Sequence, residues 1–267
     1  IDGVLLIGGL ETPNNPLTVD EYLQVRKQEV ADFKSITSEY PQYDFSFGIC
    51  TGRSFSFAAA LVDKLFAPGV CTELICESGA VKGIYNPKSN AWDAQTPLYL
   101  PRQNVETFAQ YRDLITEIGV NRLGGALEPG KSMILSFNPR LGVLTEDFFA
   151  EVCSQKEIMQ IKGALNIAFS DTAVDIGPAG SSKLLCLQEV TGKSADGSGG
   201  QKIFYVGDAN NDIEPMAISD VNMVPGNGSE GAMNQAKQAH LGMISAFPDI
   251  AGTCEMLHFL LKLKLRN

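Results

Sequence analysis

The stretch Tyr205–Pro215, YVGDANNDIEP, sets Asp208, Asn210, Asn211, Asp212 and Glu214 just beyond an apolar run, Ile203–Val206. The run reads as a buried strand. Carboxylates crowded at the mouth of a hydrophobic strand repel one another, and a cation relieves that repulsion. Asp208 and Asp212 are four residues apart, so a helix beginning near Asn210 turns both toward one point. Hard oxygen donors of this kind suit Mg2+, which keeps several waters and takes one or two protein carboxylates. Capping of a helix N-terminus by Asp and Asn is the other reading of the same residues.

Three further stretches carry side chains that can do chemistry. Thr51-Gly52-Arg53 follows the apolar segment YDFSFGIC, Tyr43–Cys50. A hydroxyl and free backbone N–H groups at the start of a helix favour an anion. Arg53 adds a fork for a phosphate or a carboxylate, or else it is a surface arginine in a turn. Ser182-Lys183 opens another helix, and a lysine in a first turn opposes the helix dipole. A bound phosphate or a buried carboxylate would account for it, and a solvated lysine is the plain alternative. Asp2-Gly3 reads as the end of a first strand, where glycine lets another backbone come close.

These residues need elements to position them. Gly3–Ile7 is apolar and strand-like, and Thr18-Val-Asp-Glu21 has capping-box spacing for a helix reaching about Glu39. Strands are expected at 43–50, 73–76, 203–206 and 220–224. Helices are expected at 54–66, from 181 to about 191, at 229–238 and at the C-terminal end, with Leu257, Leu260, Leu261 and Leu263 on one face. Strands and helices alternating through short connections predict a parallel sheet covered by helices. The middle differs. Helices at 105–118, capped by Asn104, and at 146–154, capped by Thr145, mix with strands at 132–137, 164–169 and 173–176. The expected fold is therefore α/β, a Rossmann-like parallel sheet core (1–80 plus 179–267) with an inserted α+β cap domain (81–178). Ligands of such sheets bind beyond the carboxyl ends of the strands.

Composition narrows the partners. The chain has 267 residues, and a formal net charge of −10 argues against nucleic acid, which needs clustered Lys and Arg. A small phosphorylated substrate needs only a few cations in one place. No run of apolar residues is long enough for a membrane span. The six cysteines form no C-x-x-C pair, which fits free thiols in a reducing cytoplasm. A monomer or a homodimer is compatible with all of this.

The order Asp2-Gly3, Thr51-Gly52-Arg53, Lys183, then GDANND, resembles the haloacid dehalogenase (HAD) superfamily of phosphohydrolases. The insertion resembles the C2B-type cap of the branch holding sugar-phosphate and Cof-like phosphatases. Glu77-Ser78-Gly79-Ala80 looks like that branch's E-N-G-A turn, with Ser for Asn. The resemblance implies roles residue by residue. Asp2 would be the general acid/base, with its backbone on the metal. Thr51, with Gly52 and Arg53, would bind the transferring phosphoryl group. Lys183 would steady the charge, and Asn211 would hydrogen-bond near the phosphoryl group. Asp208 would ligate Mg2+, with Asp212 its partner directly or through water. The nucleophilic aspartate would fall immediately before Ile1. The implied activity is a Mg2+-dependent phosphatase acting on a small phosphorylated metabolite, a sugar phosphate first, through an aspartyl-phosphate. A phosphomutase would need cap cations for a second phosphate, and a phosphosugar-binding protein would lack the nucleophile. Glu128, Lys131, Gly124–Ala126 and the Asn138-Pro139-Arg140 turn are candidate cap contacts, with ordinary hairpin turns and solvated charges as the plainer reading. His240 and His258 are read as packing or surface residues.

Overall fold

In a computed structural model, residues 4–5, 18–43, 45–170 and 172–264 are described. Asp2 and Gly3 lie outside them. Helix α1 (Val19–Val25) begins at the expected capping box, in which Thr18 and Glu21 exchange hydrogen bonds. The single helix expected to about Glu39 is broken at Arg26 (φ −128°, ψ 46°), and α2 (Lys27–Thr37) resumes beyond it. Strand β1 (Phe47–Cys50), helix α3 (Phe55–Leu65) and strand β2 (Cys71–Cys76) follow. Ser54 caps α3, its hydroxyl accepting from Phe57 N. Strands β1 and β2 pair in parallel.

The next two strands differ from expectation. β3 (Val81–Asn86) and β4 (Ala91–Gln95) had been placed in the insertion. They hydrogen-bond antiparallel onto β2, giving the sheet order β1-β2-β3-β4. Val81, Lys82 and Gly83 at the start of β3 are buried beside β2, and this overrides the change of sequence pattern at Val81.

The middle of the chain then forms its own unit. It comprises α4 (Arg102–Glu117), β5 (Ala126–Leu127), β6 (Leu135–Asn138), α5 (Thr145–Cys153), α6 (Lys156–Ile161), β7 (Leu165–Phe169) and β8 (Val174–Pro178). Its antiparallel sheet has the order β5-β6-β8-β7. Leu135 and Phe137 of β6 and Val174 and Ile176 of β8 share a core with Phe108, Ile115, Phe148, Val152 and Ile158 of the helices. The alternate residues Ser136 and Asp175 face the other way and hydrogen-bond to each other. Pro101 rather than Asn104 precedes α4, and Thr145 is the first residue of α5 rather than its cap. The Asn104 amide instead donates to Ala179 O at 2.9 Å, tying the two connections of the insertion together.

The α/β pattern then returns with α7 (Lys183–Thr191), β9 (Phe204–Val206), α8 (Ile213–Ala217), β10 (Val221–Val224), α9 (Glu230–Gln238), β11 (Gly242–Ile244) and α10 (Asp249–Lys264). These strands pair in parallel in the order β11-β10-β9. β11 was not expected; at three residues it is too short to show a period. Buried residues of α2, α3 and α10 cover one side of the strands, and those of α7, α8 and α9 cover the other. This is the three-layer α/β arrangement anticipated from the alternation.

The parallel strands occupy two sheets among the described residues. The edges of β1 and β9 face a cavity of about 840 Å3 lined by Phe47, Ile49, Phe204, Val206 and Asp212. Phe45 and Phe204 meet edge-on across the gap, with ring centroids 5.3 Å apart. Val4 and Leu5, part of the expected first strand, are buried but lie in a turn. The carbonyl of Val4 accepts from the Thr253 hydroxyl at 2.6 Å, so it is directed to α10 rather than to a strand ladder.

One tight approach fixes how the halves meet. Gly79 has φ +91°, and a Cβ there would lie 2.1 Å from Ser182 O. The turn after β2 is thereby pressed against the start of α7. Gly79→Ala adds backbone strain and a clash with main chain, and is expected to cost about 2–4 kcal/mol. A urea midpoint unchanged from the wild type would refute this packing.

Candidate active site

The site is built where β1, β2 and β9 end. Thr51 continues the ladder, donating its N–H to Ile75 O at 2.8 Å, and is 3 % exposed. Its hydroxyl oxygen accepts from Arg53 N at 3.1 Å, which points the turn into the start of α3. Ser78 N donates to Thr51 O and Glu77 N to Arg53 O, so the turn after β2 lies alongside the Thr51 turn. Glu77 (φ 50°) and Ser78 (φ 54°) are both left-handed, a conformation side chains resist unless their surroundings impose it.

Lys183 enters through the Gly79–Ser182 contact. Ser182 caps α7 by accepting from Leu185 N, and Lys183 is its first residue. The lysine is 9 % exposed and turns inward. Its Nζ lies 2.9 Å from Asp212 Oδ1 and 3.1 Å from Asn211 Oδ1. A buried carboxylate therefore answers the dipole mismatch, as one of the sequence readings anticipated.

Asp212 is the best-satisfied group of the site. Oδ1 accepts from Lys183 and from the Tyr205 hydroxyl, both at 2.9 Å. Oδ2 accepts from Asp208 N and Ala209 N, both at 3.3 Å. A carboxylate offers about four lone-pair positions, and these four donors fill them. The loop passes close because Gly207 has no side chain; a Cβ there would lie 2.7 Å from Asp212 Cβ. Asp208 stands differently. Apart from its own backbone N–H, its carboxylate has no hydrogen-bonding partner among the described residues, and burial pushes its pKa up to about 6, with the Asp212 charge adding to the rise. An oxygen pair so placed is available to a cation.

The sequence-derived residues thus come together with distinct parts. Lys183 touches Asn211 and Asp212, and the Asp212 and Lys183 charges act on Asp208; the Thr51 turn reaches Lys183 through the Ser78–Gly79 turn, and Cys50 before it lies close to Lys183 and Asp212. Burial raises the Cys50 thiol's pKa, with the Lys183 and Asp212 charges close enough to act on it. Gly52 packs on Ser78, while the Arg53 guanidinium lies over the Phe57 ring at 5.0 Å. Asp2 lies outside the described residues. His258 and His240 are both exposed, in line with surface roles. Two contributors carried no distinguishing pattern. Tyr205 reads only as part of an apolar strand, and Tyr99 as part of a polar connection. Yet the Tyr99 hydroxyl donates to Gly79 O and accepts from Ser182 N at 3.3 Å, joining the two turns that bound the site. A tyrosine one residue ahead of the Val-Gly-Asp signature is a signal, in retrospect, that a buried acceptor lies nearby.

Comparison with solved structures identifies the fold. A haloacid dehalogenase-like hydrolase from Bacteroides thetaiotaomicron superposes with a TM-score of 0.58 at 14 % identity, covering 86 % of this chain and 92 % of that one. The fold is that of the HAD-like hydrolases. A trehalose-6-phosphate phosphatase related protein superposes on this chain with a TM-score of 0.59 at 15 % identity, over 99 % of this chain and 96 % of that one. The sucrose-phosphatase of Synechocystis sp. PCC6803, in complex with sucrose and phosphate, matches with a TM-score of 0.56 at 14 % identity, over 86 % and 91 %. No family model and no curated protein sequence matches the chain. No described helix is long and apolar enough to cross a membrane.

The Lys183–Asp212 pair sets a stability test. Burial pushes the Asp212 carboxyl up, and the Lys183 charge and hydrogen bond more than offset it, so it lies below its usual 3.8. Burial likewise pushes Lys183 down, and the Asp212 charge more than offsets it, so it lies above its usual 10.5. The lowered acid contributes stability above 3.8 that is lost as pH falls through its folded value; the raised base contributes stability below 10.5 that is lost as pH rises through its own. Asp212→Asn leaves a buried ammonium without its charge partner and is expected to cost about 3–5 kcal/mol. Urea unfolding of both proteins should show this gap constant between about pH 7 and about pH 9, above the titration of Asp208. A loss well under 1 kcal/mol, by the usual scale of exposed pairs, would show that the pair is solvated.

Proposed function

We propose that this chain is a phosphatase of the HAD type, acting on a small phosphorylated metabolite and by preference a sugar phosphate. The observation that carries the reading is the convergence of the Thr51 turn, Lys183 and Asp208 at one locality of a HAD-like hydrolase fold. Two of the similar structures are named for sugar-phosphate chemistry, which supports the substrate class.

The donor set fits Mg2+. Asp208 offers hard oxygens that no other described residue occupies, and its desolvated carboxylate gains from a cation. The backbone of Asp2, outside the described residues, completes the protein's share in this reading. Asp212 is filled by its four donors and takes part through water. Bound there, Mg2+ would polarise a phosphoryl oxygen and offset its charge.

The remaining chemistry belongs to side chains of the chain and of its motif. Thr51 offers its hydroxyl, and Gly52 its N–H, in the turn leading into α3, to hold the phosphoryl oxygens. Lys183, fixed by Asp212, presents a permanent positive charge beside them. Asp2 protonates the leaving alkoxide and later takes the proton of the attacking water. The route runs through an aspartyl-phosphate on the aspartate that the motif places immediately before Ile1.

β3 pairs with β2 and β4 with β3, which puts 81–95 with the core, so we place the cap between the connections 96–101 and 179–182. Charge in the cap favours a monoester over the two-phosphate traffic of a mutase. Lys131 is matched by Glu128 at 2.9 Å and Asp175 at 3.9 Å, Arg140 by Glu151 at 2.8 Å, and Arg122 by Glu157 at 2.8 Å.

The deciding experiment assays two chains, one carrying Asp and one carrying Ala immediately before Ile1, against a panel of sugar phosphates. Only the Asp chain should release phosphate, and EDTA or Asp208→Asn should lower kcat by at least about a hundredfold. Equal turnover by both chains would rule out the aspartyl-phosphate. Phosphate binding without turnover by either would favour a binding protein.

A further inference from the structure

Glu77 is the most completely buried carboxylate among the described residues, at 0 % exposure, and no cation pairs with it there. An isolated charge is costly to bury unless hydrogen bonds replace its water. The replacement comes from one place in the cap. Glu77 Oε1 accepts from Ser132 N at 2.9 Å and from the Ser132 hydroxyl at 3.1 Å. Oε2 accepts from Met133 N at 2.6 Å and Ile134 N at 3.0 Å. Three successive N–H groups thus converge on a core side chain.

The same segment is gripped from its other side within the cap. The Arg112 guanidinium donates to Lys131 O at 2.8 Å and Ser132 O at 2.7 Å. One residue upstream, Gly130 packs against Ser54 and Ser56, in the first residues after the Thr51 turn. Glu77 itself is held by its N–H on Arg53 O, in left-handed backbone that the core must impose. A single residue therefore spans from the Thr51–Arg53 turn to the cap segment 132–134 that leads into β6.

We propose that Glu77 is a positioning residue, a carboxylate latch that sets the register of the cap segment 128–134 over the phosphoryl-binding turn. It acts on the leaving group through the cap and does not touch the phosphoryl group. The latch rests on the phosphatase reading for its catalytic consequence, but not for its structural one. Side chains next to the latched segment, Glu128, Lys131 and Ser136, then lie at a fixed distance from the bound phosphoryl group. Loosening the latch blurs how a leaving group is read while leaving Thr51, Lys183 and Asp208 in place.

Glu77→Gln tests it, because the amide keeps the volume but turns an NH2 toward N–H donors. Misplacement by about 1 Å can cost on the order of a hundredfold. For the sugar phosphate the wild type turns over fastest, kcat/KM should therefore fall at least about tenfold further than for p-nitrophenyl phosphate, mainly through KM. Amide exchange at Ser132, Met133 and Ile134 should quicken, with β2 and β10 amides unchanged. Parallel losses on both substrates with faster exchange everywhere would overturn the latch and leave Glu77 a general fold determinant. Unchanged exchange at Ser132–Ile134 would overturn it outright. If the wild type hydrolyses neither substrate, the phosphatase reading fails, and the exchange comparison still decides the latch.

Discussion

A buried ammonium must be answered by a fixed negative charge, and in this chain Lys183 is answered by Asp212. The two belong to segments far apart in sequence, the first turn of α7 and the loop after β9, so their contact holds the second half of the core together at the site. Ion pairs of this kind are weak evidence for stability, since apolar residues of the same volume often serve as well. Retention of the pair makes better sense as preorganisation. Asp212 spends both oxygens on internal donors, and Lys183 is thereby held pointing at the locality of Asp208 rather than into solvent. Asp208 is left with raised affinity for a proton and, by the same physics, for a cation.

That division of labour between two similar carboxylates follows from the loop's geometry. Gly207 lets the chain turn sharply enough for Asp212 to reach back under Asp208 N and Ala209 N. Spacing by four residues does bring the two acids together, as the sequence suggested. It does not bring them into equivalent positions. The helix expected to begin near Asn210 opens with a 3-10 turn, Asn210–Asp212, before α8. In that tighter turn the second acid faces inward.

Much of the core was legible because its signals are local. Alternating apolar strands and capped helices are read from neighbouring residues, and β1, β2, β9, β10, α3, α7 and α9 stand where they were expected. Thr51, Lys183, Asp208 and Asp212 were legible from residue types at strand ends. The rest depended on contacts between distant segments. β3 and β4 look like hairpin strands of any sheet, and only pairing with β2 assigns them to the core. The break at Arg26 and the short β11 leave no pattern in composition. Tyr205 and Tyr99 look like packing residues until their hydroxyl partners are known.

Glu77 shows the same limit from the other side. Its turn was noticed for its resemblance to a motif, yet nothing in Glu-Ser-Gly-Ala says what the carboxylate holds. The partners are backbone N–H groups of residues 132–134, and backbone groups are the same whatever the side chains. No pairing of residue types, and no complementary charge, could have predicted the contact. It does explain why the turn tolerates left-handed Glu77 and Ser78. Strain of about 1–3 kcal/mol per residue persists only where surrounding bonds over-determine the backbone. Here the side chain of the strained residue supplies those bonds itself, so the conformation of the core turn and the placement of the cap are a single coupled property.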